Sequence, residues 1–153
     1  MRKFLLMLSL ATFAWGCGGS DGGDSFNGGD AGTDGIVLYG MGYDQRLRMD
    51  TPVEFSIGIT NLYGSPITVD SCYISLPDGS NKADATYSDT FLGYDVTYKI
   101  TCTQRIGKME CAGVDVPLHI DSSDVNFNYS DILTTCNLPS GTLTKTVPLK
   151  WEP

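Results

Sequence analysis

A single histidine, His119, and the absence of any Cys-x-x-Cys pair set the first limits on the chemistry of this chain. Structural zinc sites combine Cys and His ligands at short spacings, so we expect no metal site and no cofactor. Asp121, Ser122 and Ser123 follow His119 closely, but neither serine stands in the Gly-x-Ser-x-Gly frame of a nucleophile elbow. The sequence therefore predicts a protein that is not an enzyme.

Basic residues are also few. The chain has ten lysines and arginines against 18 acids, a net charge of −8. Arg2 and Lys3 fall in a segment that we expect to be removed, which leaves eight bases and a net charge of −10. A surface of that sign repels phosphate groups, so the composition argues against nucleic-acid binding and against electrostatic adsorption to anionic lipids.

No apolar run is long enough for a transmembrane helix. The predominantly apolar run from Phe4 to Trp15 follows Arg2 and Lys3, and its twelve residues fall short of the roughly 20 that span a bilayer. A short basic start followed by an apolar run of this length is typical of an N-terminal secretory signal. We therefore predict a signal peptide over residues 1–16.

The signal ends in Ala14-Trp15-Gly16-Cys17, which resembles the lipobox of bacterial lipoproteins. In that family a small residue precedes a cysteine that is lipidated and becomes the mature N-terminus, which implies a palmitate-bearing membrane anchor at Cys17. With Gly18 next in the chain, the resemblance implies placement in the cell outer membrane, on its periplasmic or surface-exposed face. Ordinary secretion after cleavage at Ala14 is the alternative, and it leaves an odd cysteine in an oxidising compartment.

Residues 17–35 are rich in glycine and aspartate, and two interpretations compete for them. A calcium loop beginning at Asp30 would place Gly32 and Met41 where an EF-hand needs an oxygen ligand and a bidentate glutamate. A flexible tether needs only a composition without a hydrophobic period, because nothing then offsets the entropy of ordering the segment. We interpret 17–35 as the tether behind Cys17, with weak calcium binding as the alternative.

From Ile36 onward the pattern predicts β-strands and no amphipathic helix. Residues 53–60 and 96–104 alternate apolar and polar side chains, as half-buried antiparallel strands do. Turn signals recur at intervals of about ten residues, which is typical of a β-sandwich. We predict one all-β domain over 36–153, an antiparallel sandwich of about 7–8 strands. The expected strands are 36–41, 46–50, 53–60, 67–76 with a bulge at Asp70-Ser71, 96–104, 109–116, 124–133 and 143–151.

The four cysteines of this domain form an even set that we expect to pair. A two-residue turn over 106–107 places Cys102 directly opposite Cys111, where Cα atoms in a non-hydrogen-bonded pair lie close enough for a disulfide. A three-residue turn with a bulge would shift the register by one residue and separate the two. We favour Cys102–Cys111, which leaves Cys72 to pair with Cys136.

Two runs carry a further resemblance. TPVEFSIGITNLYGSPITVDSCYISLPDGS resembles the opening strands of immunoglobulin-like conserved-repeat domains in bacterial cell-surface proteins, and ITCTQRIGKMEC is similar to a cysteine-bearing hairpin in some of them. The resemblance implies an immunoglobulin-like sandwich with a structural or adhesive role. The acidic segment from Asp115 to Asp131 departs from the repeat pattern.

These features together predict a lipid-anchored, non-catalytic module of the cell envelope. We expect it to have a binding, adhesive or structural role, with a protein or glycan as its partner. Tyrosines in predicted loops are candidate contact residues, because tyrosine combines apolar area with a polar tip; they are Tyr43, Tyr63, Tyr87 and Tyr94. For any single one of them, covering the edge of the core is the favoured alternative. The alternative is a lipoprotein inhibitor of a cationic hydrolase such as lysozyme, which an acidic surface complements. A projecting loop with a rigid turn that presents Asp or Ser would favour the inhibitor.

Overall fold

The computed structural model describes residues 30–31, 35–43, 47–62, 66–87 and 95–152, with the backbone alone at 30, 31 and 87. The predicted signal peptide and Cys17 lie outside these residues. Within the described ranges, no helix has the length and hydropathy to cross a bilayer. The regular structure there is entirely β: β1 (Asp30–Ala31), β2 (Ile36–Gly42), β3 (Pro52–Asn61), β4 (Ser71–Ser75), β5 (Ala83–Asp84), β6 (Thr86–Tyr87), β7 (Asp95–Arg105), β8 (Lys108–Cys111), β9 (Val114–Pro117), β10 (Asn128–Leu138) and β11 (Gly141–Trp151).

The strands form two antiparallel sheets that pack as a sandwich. One sheet has the order β1-β2-β3-β7-β8-β9, with β6 also paired to β7, and the other has the order β11-β10-β4-β5. Strands β2, β3, β7 and β6 thus stand side by side as A, B, E and D do in an immunoglobulin domain, and β4, β10 and β11 correspond to C, F and G. The predicted immunoglobulin-like sandwich is confirmed.

The core forms because the long strands alternate between an inner and an outer face. On β3 the side chains of Phe55 and Ile57 are fully buried, and Ile100 of β7 lies directly opposite Phe55. Successive side chains of a strand point to opposite faces, so each apolar residue at a spacing of two reaches the same core. The alternation predicted for 53–60 and 96–104 is therefore confirmed.

The region predicted as one strand over 109–116 is two strands. Ala112 and Gly113 both have positive φ, 47° and 80°, and together form the turn between β8 and β9. Consecutive positive φ values are typical of a type I′ hairpin turn. Alanine seldom adopts this conformation, so the sequence pattern did not indicate a turn at Ala112. The resulting hairpin, β8–β9, extends one sheet beyond β7.

The predicted strand 67–76 is shorter in the structure. Ladder pairing begins at Ser71, although Ile67 and Val69 are already buried before it. The backbone N–H of Asp70 donates to the carbonyl of Asn137 at 2.8 Å, so the segment lies along β10 without joining the sheet regularly. The change of apolar phase at Asp70-Ser71 is real, and it marks the start of β4 rather than a bulge within it.

Two other predicted strands differ from the strands in the structure. Over 46–50 the described residues form only isolated parallel bridges, Leu47 with Trp151 and Met49 with Gln104. The strand predicted at 124–133 begins at Asn128, because acidic turns occupy the preceding residues. Both differences arise at one end of the sandwich, where irregular segments meet.

The segment interpreted as a tether contains two described residues that join a sheet. Asp30 pairs with Leu38 and Ala31 with Val37, so β1 lies along β2. Met41, the last position of the calcium loop considered above, is buried within β2. Residues 36–42 are therefore extended strand, which is not the conformation of the second half of an EF-hand ligand loop.

Candidate binding surface

Exposed apolar side chains gather at one end of the sandwich, where β3 begins and β7 ends. Ile106 is 85% exposed, Val125 84%, Ile120 57% and Met49 36%. We call these four residues the Ile106 surface. Of the other two large apolar side chains that are exposed within the described ranges, Leu62 follows the last residue of β3 at the opposite end, and Tyr129 lies on β10.

Three neighbouring segments bring the Ile106 surface together. Met49 forms its bridge beside Gln104, and Ile106 occupies the turn that follows β7. The Cδ1 atom of Ile120 lies 3.9 Å from where a Cβ on Gly107 would stand. The carbonyl of Gly107 accepts the Leu118 N–H at 2.9 Å, which ties the two loops together.

The turn at Ile106 follows directly from the chain. Arg105 pairs with Lys108, so only two residues connect β7 to β8, as the disulfide argument required. Gly107 takes a φ of 71°, which a residue without Cβ adopts at little cost. Because a two-residue turn projects beyond the ends of its strands, the Ile106 side chain has no core to enter.

The loop 119–127 carries Ile120 and Val125 and is built from two aspartate turns. Asp121 accepts the backbone N–H of Ser123 at 2.9 Å, and Asp124 accepts the N–H groups of Asn126 at 2.8 Å and Phe127 at 3.2 Å. Aspartate side chains that accept from the backbone two residues ahead stabilise a turn locally. The loop is thus a rigid, projecting segment.

Two inward-facing polar residues of β10 hold this loop to the domain. The side-chain oxygen of Asn128 accepts the Asp121 N–H at 2.6 Å, and the Ser130 hydroxyl accepts the His119 N–H at 2.7 Å. Asn128 and Ser130 are both buried. Polar residues stand at these core positions because they satisfy loop N–H groups that would otherwise lack partners.

Electrostatics at this end are acidic. The segments 47–50, 104–128 and 150–152 contain six acids and four bases, and Lys150 Nζ lies 3.7 Å from the centroid of the Phe127 ring. Arg105 pairs with Asp50 and lies 3.7 Å from Glu110, while Lys108 Nζ lies 2.6 Å from Asp115. The pKa of Arg105 is raised, chiefly by its hydrogen bond to Asp50. Its positive charge is therefore engaged within the protein.

The Asp121 carboxylate is held in its charged form. Its pKa lies below the ordinary value of 3.8, mainly because the Ser123 side chain and backbone donate to it, while the charge of His119 makes a smaller contribution. The Ser123 hydroxyl therefore donates its hydrogen bond to the Asp121 carboxylate. In a catalytic triad the serine hydroxyl bonds histidine instead. Asp121 and Ser123 therefore come together in an arrangement that stabilises a turn.

Several buried polar atoms beneath this end lack a hydrogen-bond partner among the described residues. They are Gln104 Oε1, Asn128 Nδ2 and Trp151 Nε1, with Thr134 Oγ1 further along β10. The other side-chain groups of the first two are engaged: Gln104 Nε2 donates to the carbonyl of Glu152 at 2.6 Å. A buried polar atom without a partner destabilises the fold by about 1–3 kcal/mol.

Both predicted disulfides are present. Cys72–Cys136 and Cys102–Cys111 each have a Cα–Cα distance of 4.2 Å, and all four residues are buried. Each disulfide joins adjacent strands of one sheet, whereas the disulfide of antibody domains joins the two sheets. Two disulfides are compatible with an extracytoplasmic location.

A shallow groove offers a second site. It has a volume of about 440 Å³ and is lined by residues 69–72, Asp84, Ala85 and Tyr98. The Tyr98 hydroxyl donates to the carbonyl of Val69 at 3.0 Å, which closes its floor. In the part of the chain that the structure describes, no group of three or more His, Cys, Asp or Glu side chains could hold a metal ion.

At Tyr43 the structure favours the alternative, a tyrosine that covers the edge of the core. Its ring packs on Phe55 with a centroid distance of 5.2 Å, and its hydroxyl donates to the carbonyl of Lys150 at 3.1 Å. Tyr43 therefore covers the core edge instead of a contact surface. Tyr63 and Tyr94 lie outside the described residues, and Tyr87 is described only as backbone in β6.

The sequence signal for the Ile106 surface is weak. Ile106 stands alone between polar residues in TQRIGKME, whereas Ile120 and Val125 have Leu118 and Phe127 two residues away, as strand residues do. Val125 accordingly falls within the predicted strand 124–133, and the pattern does not distinguish these side chains from core residues. Their proximity depends on the β8–β9 turn and on the loop hydrogen bonds, which only the structure reveals.

Comparison with known proteins gives no assignment: no protein-family model, no curated protein and no solved structure matches this chain. The resemblances to lipoproteins and to conserved-repeat domains therefore stay predictions.

Proposed function

We propose that this protein is a bacterial lipoprotein whose Cys17 anchors it to the outer membrane and whose folded domain is a non-catalytic protein-binding module. The lipobox-like sequence and the glycine-rich stretch before the sandwich support the anchor and the tether. The strand order supports kinship with immunoglobulin-like conserved repeats, and the paired cysteines fit an envelope location.

The observation that carries the binding role is the Ile106 surface. Soluble domains rarely expose several large apolar side chains together, and such patches commonly mark interaction sites. Ile106, Ile120 and Val125 carry no hydrogen-bonding side-chain group, so they suit the apolar centre of a protein partner better than a glycan, whose hydroxyls need partners.

An inhibitor of a cationic hydrolase is the second candidate, and one observation favours it. The loop 119–127 projects from the domain in two aspartate turns and exposes Asp121, Ser122 and Ser123. A preorganised loop loses little conformational entropy when it enters a cleft. Titration of lysozyme activity with the purified full-length protein tests this candidate. Stoichiometric inhibition would favour it, and undiminished activity at a large excess would leave the adhesive or structural role.

Detergent partition tests the anchor. Wild-type protein extracted from cells should enter the detergent phase, because acyl chains supply the apolar area that the acidic domain lacks. The Cys17→Ser variant should appear in the aqueous phase or remain an unprocessed precursor. Equal membrane association of both processed forms would contradict lipid anchoring. The binding role is tested in the same cells by chemical cross-linking, which should give a discrete product larger than the monomer.

A further inference from the structure

We infer that the Ile106 surface is where this protein meets its partner, and that the partner is a basic protein. The inference rests on the proposed binding function and adds to it the place of contact and the chemistry of the occupant.

Exposed apolar area clusters at the end of the sandwich where β7 ends. Scattered exposed apolar residues are ordinary in soluble proteins. Here, however, Met49, Ile106 and Ile120 come from three segments that bond one another, and Val125 lies in the same loop as Ile120. The four exposed side chains therefore belong to one surface.

The Ile106 surface is preorganised. Ile106 lies in a two-residue turn just beyond the Cys102–Cys111 disulfide, and the loop 119–127 is fixed by its aspartate turns and by Asn128. Association orders few groups when the contact loops are already rigid, so more of the contact energy appears as affinity.

Buried polar atoms also distinguish this end of the sandwich. Gln104, Asn128 and Trp151 each keep a buried polar atom without a partner among the described residues, and all three lie beneath this end. Groups that lower the stability of a fold are found mainly at functional sites, because function as well as folding constrains the sequence there.

The charge around the Ile106 surface indicates the chemistry of the occupant. Two of the four bases at this end, Arg105 and Lys108, are paired with Asp50 and Asp115. Asp121 and Asp124 use their carboxylates to cap backbone N–H groups, which leaves their negative charge in place beside Ile120 and Val125. An apolar centre with a negative rim complements a protein with a positive surface, and such complementarity accelerates encounter and excludes acidic partners.

Site-specific photo-cross-linking in the native host tests this inference with the full-length, processed protein. Benzoylphenylalanine replaces Val125 in one strain and Leu62 in a matched control, since both side chains are exposed and at opposite ends. We expect the Val125 position to give a discrete adduct with a protein of basic isoelectric point, at least tenfold more abundant than any adduct from Leu62, and we expect raised salt to reduce it.

Three outcomes would overturn the inference. They are an adduct from Leu62 in place of Val125, an acidic partner, or no adduct from either position while chemical cross-linking still yields the larger product. In those cases the binding function stands and only the assigned surface or chemistry fails. The absence of any product by either method would instead contradict the proposed binding function itself.

Discussion

Cys102 on β7 stands directly opposite Cys111 on β8, with 4.2 Å between their Cα atoms. The disulfide marks where the edge of β7 changes partner, because β6 pairs at Tyr98 and Lys99 whereas β8 pairs from Cys102 to Arg105. It therefore fastens the β8–β9 hairpin, and with it the turn that carries Ile106, to the sandwich.

Removal of this disulfide should loosen the hairpin before the rest of the domain. By loop-closure entropy the Cys102→Ala/Cys111→Ala variant should lose about 3 kcal/mol of unfolding free energy, and the Cys72→Ala/Cys136→Ala variant about 4 kcal/mol. Hydrogen exchange should increase first over Lys108–Pro117 in the former. Uniform acceleration across both sheets would show that the hairpin has no separate stability.

Substitution of Gly40 should destabilise the protein for two reasons, and a control variant at Gly113 separates them. Its φ is 78°, and a Cβ there would lie 2.6 Å from Cγ2 of Val147 on β11. Gly113 has a φ of 80° but nothing within 4 Å. Both alanine variants should lose about 1–2 kcal/mol from the backbone conformation, and Gly40→Ala should lose about 1–3 kcal/mol more from overpacking. Equal denaturation midpoints for the two variants would refute the close packing of β2 on β11.

Thr134→Val should stabilise the protein. Thr134 is fully buried on β10, and its hydroxyl lacks a partner among the described residues. Valine has nearly the same shape without the unpaired group, so unfolding free energy should increase by about 1 kcal/mol. Thr142→Val is the control, because that hydroxyl donates to Asn137 at 3.0 Å and its loss should give no gain. A destabilised Thr134→Val would mean that the hydroxyl is satisfied in solution.

Acid titration should detect the lowered pKa of Asp121, which reports the hydrogen bonds of its turn. Its folded pKa is below 3.8, the ordinary value that the unfolded chain approximates, so its stabilising effect is present above that value and disappears as the pH falls through the folded pKa. Ser123→Ala should raise the Asp121 pKa, measured by carboxyl NMR shifts. Asp78, whose pKa is lowered chiefly by the Ser80 side chain, should not change in that variant.

The sequence predicts the sandwich well because its strongest signals are local. Alternation over 53–60 gave β3 almost residue for residue, and a two-residue turn after Arg105 gave the Cys102–Cys111 register. Both inferences need only the period of a strand and the geometry of one hairpin.

The remaining features depend on contacts that local patterns do not encode. The turn at Ala112-Gly113 uses an alanine at a φ of 47°, and Asp30–Ala31 becomes a strand only because β2 lies beside it. The Ile106 surface likewise arises where three distant segments meet. Its residues were visible in the sequence, but their adjacency was not.

The most direct test of the central claim is the affinity of the cross-linked partner for two variants with matched surface changes. Val125→Asn and Leu62→Asn each replace an exposed apolar side chain by a neutral polar one, so neither should alter the unfolding free energy by more than about 0.5 kcal/mol. We expect Val125→Asn to weaken binding at least tenfold, the loss typical of a contact residue worth more than about 1.4 kcal/mol, and Leu62→Asn to leave it unchanged. Equal affinities for both variants, or a loss confined to Leu62→Asn, would contradict the assignment of the Ile106 surface as the site of contact.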